Sequence, residues 1–271
     1  MNAQGIAFVG GGNMASAIIG GLLRAGMKPA QLTVVEPYAP QREKLAGEFG
    51  VAALAAGDAS LARAGVVVWA VKPQLFGAAS GPVKAWVGDA LHLSVMAGIR
   101  TDALVAATGS ERVVRAMPNT PALIGQGIAG LFARPAVSSQ ERTTIERLLA
   151  PTGQTLWVAH EDDLDAVTAL SGSGPAYFFF VVEAMMAAAV DMGLTAEQGR
   201  RLALATCAGA AGLALASDES PTTLRERVTS KGGTTHAAIT SLQGDGVDAA
   251  IRRAVLAAHK RAAELGQEFA G

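Results

Sequence analysis

Cysteine is almost absent from this chain. Cys207 is the single one among 271 residues, which excludes an intrachain disulfide and the small disulfide-stapled folds. It lies in Ala203-Leu204-Ala205-Thr206-Cys207-Ala208 and reads as a small buried residue rather than a nucleophile. Aromatic residues are scarce at 5% and charged residues reach only 17%, although half of the chain is hydrophobic. A core this poor in large rings is built from alanine and aliphatic side chains, which favours closely packed helices. Neither sign of charge prevails, with 22 basic and 23 acidic residues, so neither nucleic acid nor an anionic membrane is an expected partner. Long hydrophobic runs are missing too. Ala176 to Val190 is interrupted by Glu183, and Leu202 to Ala216 falls short of the ~20 residues a membrane span needs. Met1 leads within a few residues into a strand pattern, so no signal peptide is expected and the cytoplasm is the expected location. The four histidines, His92, His160, His236 and His259, show no metal-ligand spacing, and no metal is expected.

What is present begins with Gly5-Ile6-Ala7-Phe8-Val9-Gly10-Gly11-Gly12-Asn13-Met14-Ala15. The apolar run Ile6 to Val9 reads as a buried strand, and Met14 to Leu23 carries helical spacing. Gly10, Gly12 and Ala15 fit G-x-G-x-x-A, a form of the dinucleotide-binding fingerprint. The first glycine permits a tight turn, the second lets the backbone approach a pyrophosphate, and the small third residue lets helix and strand pack closely. The new helix N-terminus then faces the phosphates with free N–H groups. Alone the pattern is weak, but the strand before it and the helix after it give it weight.

The next strand, Gln31 to Val35, ends at Glu36, about the ~20 residues beyond the glycines where an acid holds the adenosine ribose. A carboxylate there accepts from ribose hydroxyls and repels a 2′-phosphate, whereas nearby Arg42 could pair with that phosphate. The choice between NADPH and NADH stays open on these residues. Gln41 to Phe49 is amphipathic, Gly50 to Leu54 is a weak strand, and Ser60 to Arg63 belongs to a short helix. Val66 to Val71 is a continuous apolar run typical of a strand buried on both faces of a parallel sheet. It ends at Lys72-Pro73-Gln74, and ligands of such sheets lie outside the carboxyl ends of the strands. Lys72 is therefore a candidate cofactor-binding and catalytic residue. Further strands are predicted at Ala90 to Val95, Val113 to Met117, Gly127 to Phe132 and Thr155 to Val158. A helix capped by Thr101 runs to Thr108, and another covers Ser139 to Leu149. Strands alternating with helices predict a doubly wound (Rossmann) parallel α/β domain over residues 1–160.

From Glu161 onward no strand signal remains. Alanine-rich helical patterns cover Asp162 to Leu170, Pro175 to Met192, Ala196 to Ala216, Thr222 to Val228, His236 to Gln243 and Gly246 to Phe269. Residues 161–271 thus read as an all-helical domain, apolar enough to bury helices against a second subunit. Two glycine-bearing turns stand out in it. Ser171-Gly172-Ser173-Gly174-Pro175 joins two helices, and Thr229-Ser230-Lys231-Gly232-Gly233-Thr234-Thr235 leads into a helix near His236. Glycines, hydroxyls and a fresh helix N-terminus suit a small carboxylate, although ordinary loop and capping chemistry uses the same residues.

Five stretches, Gly10-Gly11-Gly12-Asn13-Met14, Ala70-Val71-Lys72-Pro73-Gln74, Arg115-Ala116-Met117-Pro118-Asn119-Thr120-Pro121, Leu170 to Tyr177 and Val228 to Thr235, resemble the signatures of pyrroline-5-carboxylate reductases. These enzymes perform the last step of proline biosynthesis, and the likeness covers essentially the whole chain. It implies an N-terminal dinucleotide-binding domain, a helical domain interlocked with its twin, and active sites between one subunit's cofactor and the partner's helical loops. Dimers assembling further into rings are also implied. By this resemblance Gly10, Gly11, Gly12, Asn13 and Met14 hold the pyrophosphate of NADPH, with NADH as the other possibility. Ala70, Val71 and Lys72 line the cofactor cleft, with Ala97, Pro118 and Asn119 beside the nicotinamide. Ser230, Gly233, Thr234 and Thr235 bind the substrate 1-pyrroline-5-carboxylate, and Glu161 lies near it. Thr235 is the candidate to hydrogen-bond the ring nitrogen.

Two positions depart from the family pattern. Glu36 stands where NADPH-preferring members carry a small polar residue, and Arg227 replaces a cofactor-touching asparagine. A β-hydroxyacid dehydrogenase, which also follows a Rossmann domain with helices, needs a lysine early in its second domain, and Ser171 to Gln198 contains none. A non-catalytic nucleotide sensor is the alternative of another class, and the loop Ser230 to Thr235 speaks against it.

Overall fold

The computed structural model describes residues 5–268. Eight strands form one sheet in the order β3-β2-β1-β4-β5-β6-β7-β8. They are β1 (Gly5–Val9), β2 (Leu32–Val35), β3 (Ala53–Leu54), β4 (Ala64–Trp69), β5 (Leu91–Ser94), β6 (Val113–Met117), β7 (Gly127–Ala133) and β8 (Gly153–Trp157). β1 lies at the centre of a parallel set, with Val9 opposite both Val35 and Trp69. Successive strand residues point to opposite faces, so Ile6 and Phe8 enter one core with Ile18, Ile19 and Leu22, while Ala7 and Val9 enter another with Val67, Trp69 and Leu104.

All eight predicted strands are present, with one correction to the expected parallel sheet. β7 runs antiparallel to β6, and β8 follows β7 in parallel. The connection from β6 to β7 holds only a short 3₁₀ turn at Thr120–Ile124, too short for the crossover that parallel pairing demands. α5 (Ser139–Leu149) supplies such a crossover between β7 and β8.

The other helices of this half are α1 (Asn13–Arg24), α2 (Ala39–Phe49), α3 (Phe76–Val87) and α4 (Thr101–Thr108). α3 carries Gly77, Gly81 and Pro82 and so has no clear helical signature, yet its Phe76, Val83 and Val87 pack into the second core. Thr101 proves to be the first helical residue of α4 rather than its cap, which is Arg100.

By compactness the chain divides into two units, residues 5–173 with those from Ala258 onward, and Gly174–Ala257. The short α6 (Asp163–Val167) and a π-helical turn at Thr168–Gly172 close the main run of the first unit. The second unit holds α7 (Gly174–Asp191), α8 (Ala196–Leu215), α9 (Pro221–Arg227), α10 (Thr234–Gly244) and the start of α11 (Val247–Glu268). The last residue of the helix predicted to reach Phe269 lies outside the described residues.

Ser171 to Pro175 is not the separate turn that its composition suggests. Ser173 N–H donates to Thr168 O at 2.8 Å, so the backbone passes from a π turn straight into α7. Pro175 has no N–H to offer the Ser171 carbonyl four residues earlier, and that carbonyl accepts from Asn119 Nδ2 instead, at 3.3 Å.

In the second unit α7 packs along α8 and leaves a broad apolar face. Phe178, Phe179 and Phe180 are 62%, 59% and 73% exposed. The 29 residues Asp163–Asp191 are long and apolar enough to cross a membrane by length and composition alone. Cys207 on α8 is half-buried rather than buried.

Candidate functional site

The carboxyl ends of β1, β2 and β4 open on a cavity of about 610 Å³ lined by Gly10, Gly12, Glu36, Ala70, Val71 and Lys72 among others. Six of the predicted cofactor residues therefore meet in one cleft. Gly10 has φ +98°, and a Cβ there would sit 2.7 Å from the Ala70 carbonyl and 2.8 Å from Val71 N. The turn can pass β4 only without a side chain. At Gly12, the N-cap of α1, a Cβ would meet no protein atom within 4 Å. That open space in front of the helix N-terminus fits a pyrophosphate, because the first N–H groups of α1 have no intrahelical acceptor and carry the positive end of the dipole.

Gly11 faces inward and serves the loop itself. Its N–H donates to Glu36 Oε2 at 2.9 Å, while Tyr38 N–H donates to Glu36 Oε1 at 2.9 Å. Tyr38 and Gln41 also line the cavity. Neither was predicted; an aromatic residue two positions beyond the strand-end acid was the available signal. Arg42 does not reach into the cavity, since Nη1 donates to the carbonyls of Glu36 and Pro37 at 2.9 and 2.7 Å. Lys72 is exposed and has no ion-pair partner among the described residues.

Asn13 is exposed and Met14 half-buried at the start of α1, and Ala97 is half-buried after β5. Pro118 and Asn119, after β6, are buried. The Asn119 amide is committed to the chain: Oδ1 accepts from Ile128 N–H at 3.0 Å and Nδ2 donates to Ser171 O. It clamps the strand end where the nicotinamide was expected.

Glu161 departs most from its predicted part. Its carboxylate accepts Thr101 N–H at 2.8 Å, Thr101 Oγ1–H at 2.7 Å and Arg115 Nη1 at 3.2 Å. With Arg115 fully buried beneath it, Glu161 caps α4 from 60 residues away and neutralises a buried cation. These bonds are those of an anchor and leave little acceptor capacity for a ligand. Burial raises the carboxyl pKa of nearby Asp165, against the pull of Arg115 and Arg100.

In the second unit Thr234 and Thr235 form the first turn of α10, with Gly233 as N-cap and no side chain capping it. Gly233 N–H donates to Ser230 O at 3.0 Å, and Gly232 takes φ +78°. Ser230 and Thr234 are exposed and Thr235 half-buried. The turn thus offers hydroxyls and unpaired helix N–H groups to an anion. Arg227 is turned onto Glu219 at 2.5 Å. Among the described residues no three His, Cys, Asp or Glu side chains converge on a metal site.

A glycine turn against a helix N-terminus, an acid at the second strand end and a cleft across them define a nicotinamide-dinucleotide oxidoreductase of the Rossmann type. Residues 5–98 match the family described as NADP oxidoreductase coenzyme F420-dependent, and residues 161–265 match the one described as pyrroline-5-carboxylate reductase dimerisation. The chain is 45% identical to a pyrroline-5-carboxylate reductase of Pseudomonas aeruginosa, over 99% of both chains. Its fold superposes on a solved pyrroline-5-carboxylate reductase of Coxiella burnetii with TM-score 0.91 and 36% identity, covering 97% of this chain and 99% of that one. The corresponding enzyme of Plasmodium falciparum, solved with NADP bound, gives 0.87 and 27% over 98% and 99%. The chain belongs to the pyrroline-5-carboxylate reductase family.

Proposed function

We propose that this protein reduces the C=N bond of 1-pyrroline-5-carboxylate to give L-proline, with NAD(P)H as the reductant. The full-length match at 45% identity carries the reading, and the cleft at Gly10–Gly12 with the donor-rich turn at Ser230–Thr235 supports it. NAD(P)H, when bound, supplies a hydride to the imine carbon. Gly10, Gly11, Gly12, Asn13 and Met14 present the turn and helix N-terminus that hold its pyrophosphate. Ala70, Val71 and Lys72 border the dinucleotide, and Ala97, Pro118 and Asn119 border the nicotinamide. Ser230, Gly233 and Thr234 bind the substrate carboxylate, and Thr235 Oγ1 accepts a hydrogen bond from the ring nitrogen of the substrate, which enters as the protonated iminium. Hydride addition at carbon then gives the amine with that proton retained on nitrogen. Lys72 places positive charge beside the anionic dinucleotide. No covalent intermediate is needed, so catalysis is mainly proximity and orientation.

Self-association belongs to the same reading, supported by the family match over 161–265. So do a further assembly as rings of dimers, a cytoplasmic home, and no nucleic-acid or membrane partner, in keeping with the balanced charge.

The test is oxidation of NADPH and NADH by the purified protein with 1-pyrroline-5-carboxylate. Turnover is expected, and Thr235→Ala should lower kcat/KM for the imine about 10²-fold with the dissociation constant of the cofactor little changed. Cofactor binding without any turnover would instead make the protein a sensor.

A further inference from the structure

We propose that Glu36 makes this chain select NADH over NADPH. The inference deepens the proposed oxidoreductase reading and rests on it only for the identity of the dinucleotide.

The backbone of Glu36 is fixed, since its N–H donates to Leu54 O at 2.8 Å. Its side chain is fixed as well, because each carboxylate oxygen takes one main-chain N–H, from Gly11 and from Tyr38. Turning the carboxylate away would leave the N–H of the buried Gly11 without its acceptor. An ionised carboxylate has about four acceptor positions, so two remain to receive hydroxyl donors on the cavity side. A ribose 2′-hydroxyl can donate to them. A 2′-phosphate is mostly dianionic at neutral pH and brings like charge against a carboxylate that cannot move aside.

No cation among the described residues lines the cavity on the β2 side. Among the described residues lining the cavity, Lys72 is the single cation and Glu36 the single acid, and Lys72 follows β4 rather than β2. Arg42, the one arginine of α2, spends its Nη1 on two main-chain carbonyls, and Lys44 lies 4.0 Å from Glu48. A relative holds NADP, so discrimination against it is a property of this strand end rather than of the fold.

The experiment measures the dissociation constants of NADH and NADPH by intrinsic fluorescence in the absence of imine, so loss of reductase activity would not affect it. The unmodified chain should bind NADH at least about tenfold more tightly, and 5′-AMP should compete better than adenosine 2′,5′-bisphosphate, which differs from it only by the 2′-phosphate. Glu36→Gln keeps the shape and one acceptor but removes the charge, and Glu36→Ser opens the corner. Both should weaken NADH and tighten NADPH, an opposite movement that mere loss of structure would not give. Tighter NADPH binding by the unmodified chain, equal weakening of both cofactors by Glu36→Gln, or selective loss of NADPH in Arg42→Ala would overturn the proposal. The two adenosine nucleotides, tested on the unmodified chain, decide the matter even if neither variant folds.

Discussion

His92 is fully buried on β5, and its Nδ1 accepts the indole N–H of Trp69 at 3.0 Å. An indole can only donate, so the imidazole proton sits on Nε2, which makes no well-formed hydrogen bond among the described residues. The main chain of Val87 offers only a weak opposing pull toward the protonated ring. Burial, helped by the charge of Arg112, pushes its pKa down from 6.5 to about 4. The neutral ring therefore favours the fold. Its contribution is complete above pH 6.5 and is lost as the pH falls from there to about 4, by up to roughly 3 kcal/mol. Urea midpoints taken between pH 4 and 8 should show that loss, and His92→Gln, which keeps an acceptor for Trp69, should flatten it. Parallel curves would clear His92 of the effect. Gly10, Gly12 and Glu36 were legible in the sequence because the motif that joins them is local and its chemistry strict. The direction of the Glu36 carboxylate, back onto Gly11 N–H, was not, since no spacing rule says which way a side chain turns.

Among the elements, the central strands were read from apolar runs that are buried on both faces, and the half-buried two-residue β3 lies within the weak strand expected at Gly50 to Leu54. α3 carries too much glycine and proline for its period to show, and packing alone makes it a helix. The cap of α4 was misassigned for a related reason. Thr101 looks like a cap residue, but its N–H and hydroxyl both go to Glu161, a partner that only the assembled sheet brings near. Replacing Glu161 by Ala removes this cap and strands Arg115 in the core, so stability should fall by about 3 kcal/mol in chemical denaturation. A higher KM for the imine at unchanged stability would return Glu161 to the substrate role that the resemblance implied.

At the scale of the molecule, residues beyond Gly174 make sense only in company. The three consecutive phenylalanines of α7 are more than half exposed in the single chain, far more apolar surface than a monomeric unit of this size keeps bare. Phe180→Glu should raise the dimer dissociation constant by at least ~100-fold, seen as halved mass by light scattering of the dilute protein. An unchanged mass would place the contact elsewhere. The helices were readable from composition, whereas the division of the chain depends on the criterion. The family match begins at 161, whereas compactness assigns residues up to 173 and those from Ala258 onward to the first unit.

That return of α11 has a consequence in time. A ribosome that has released residues 5–173 has made every strand, yet the first unit still lacks its final segment. At about 5–20 residues per second, Gly174–Ala257 takes on the order of 4–17 s to appear. Throughout that interval the first unit waits without its last helical segment while the apolar pair α7 and α8 emerges, so the nascent chain needs protection in the same seconds in which its pairing surface is first shown.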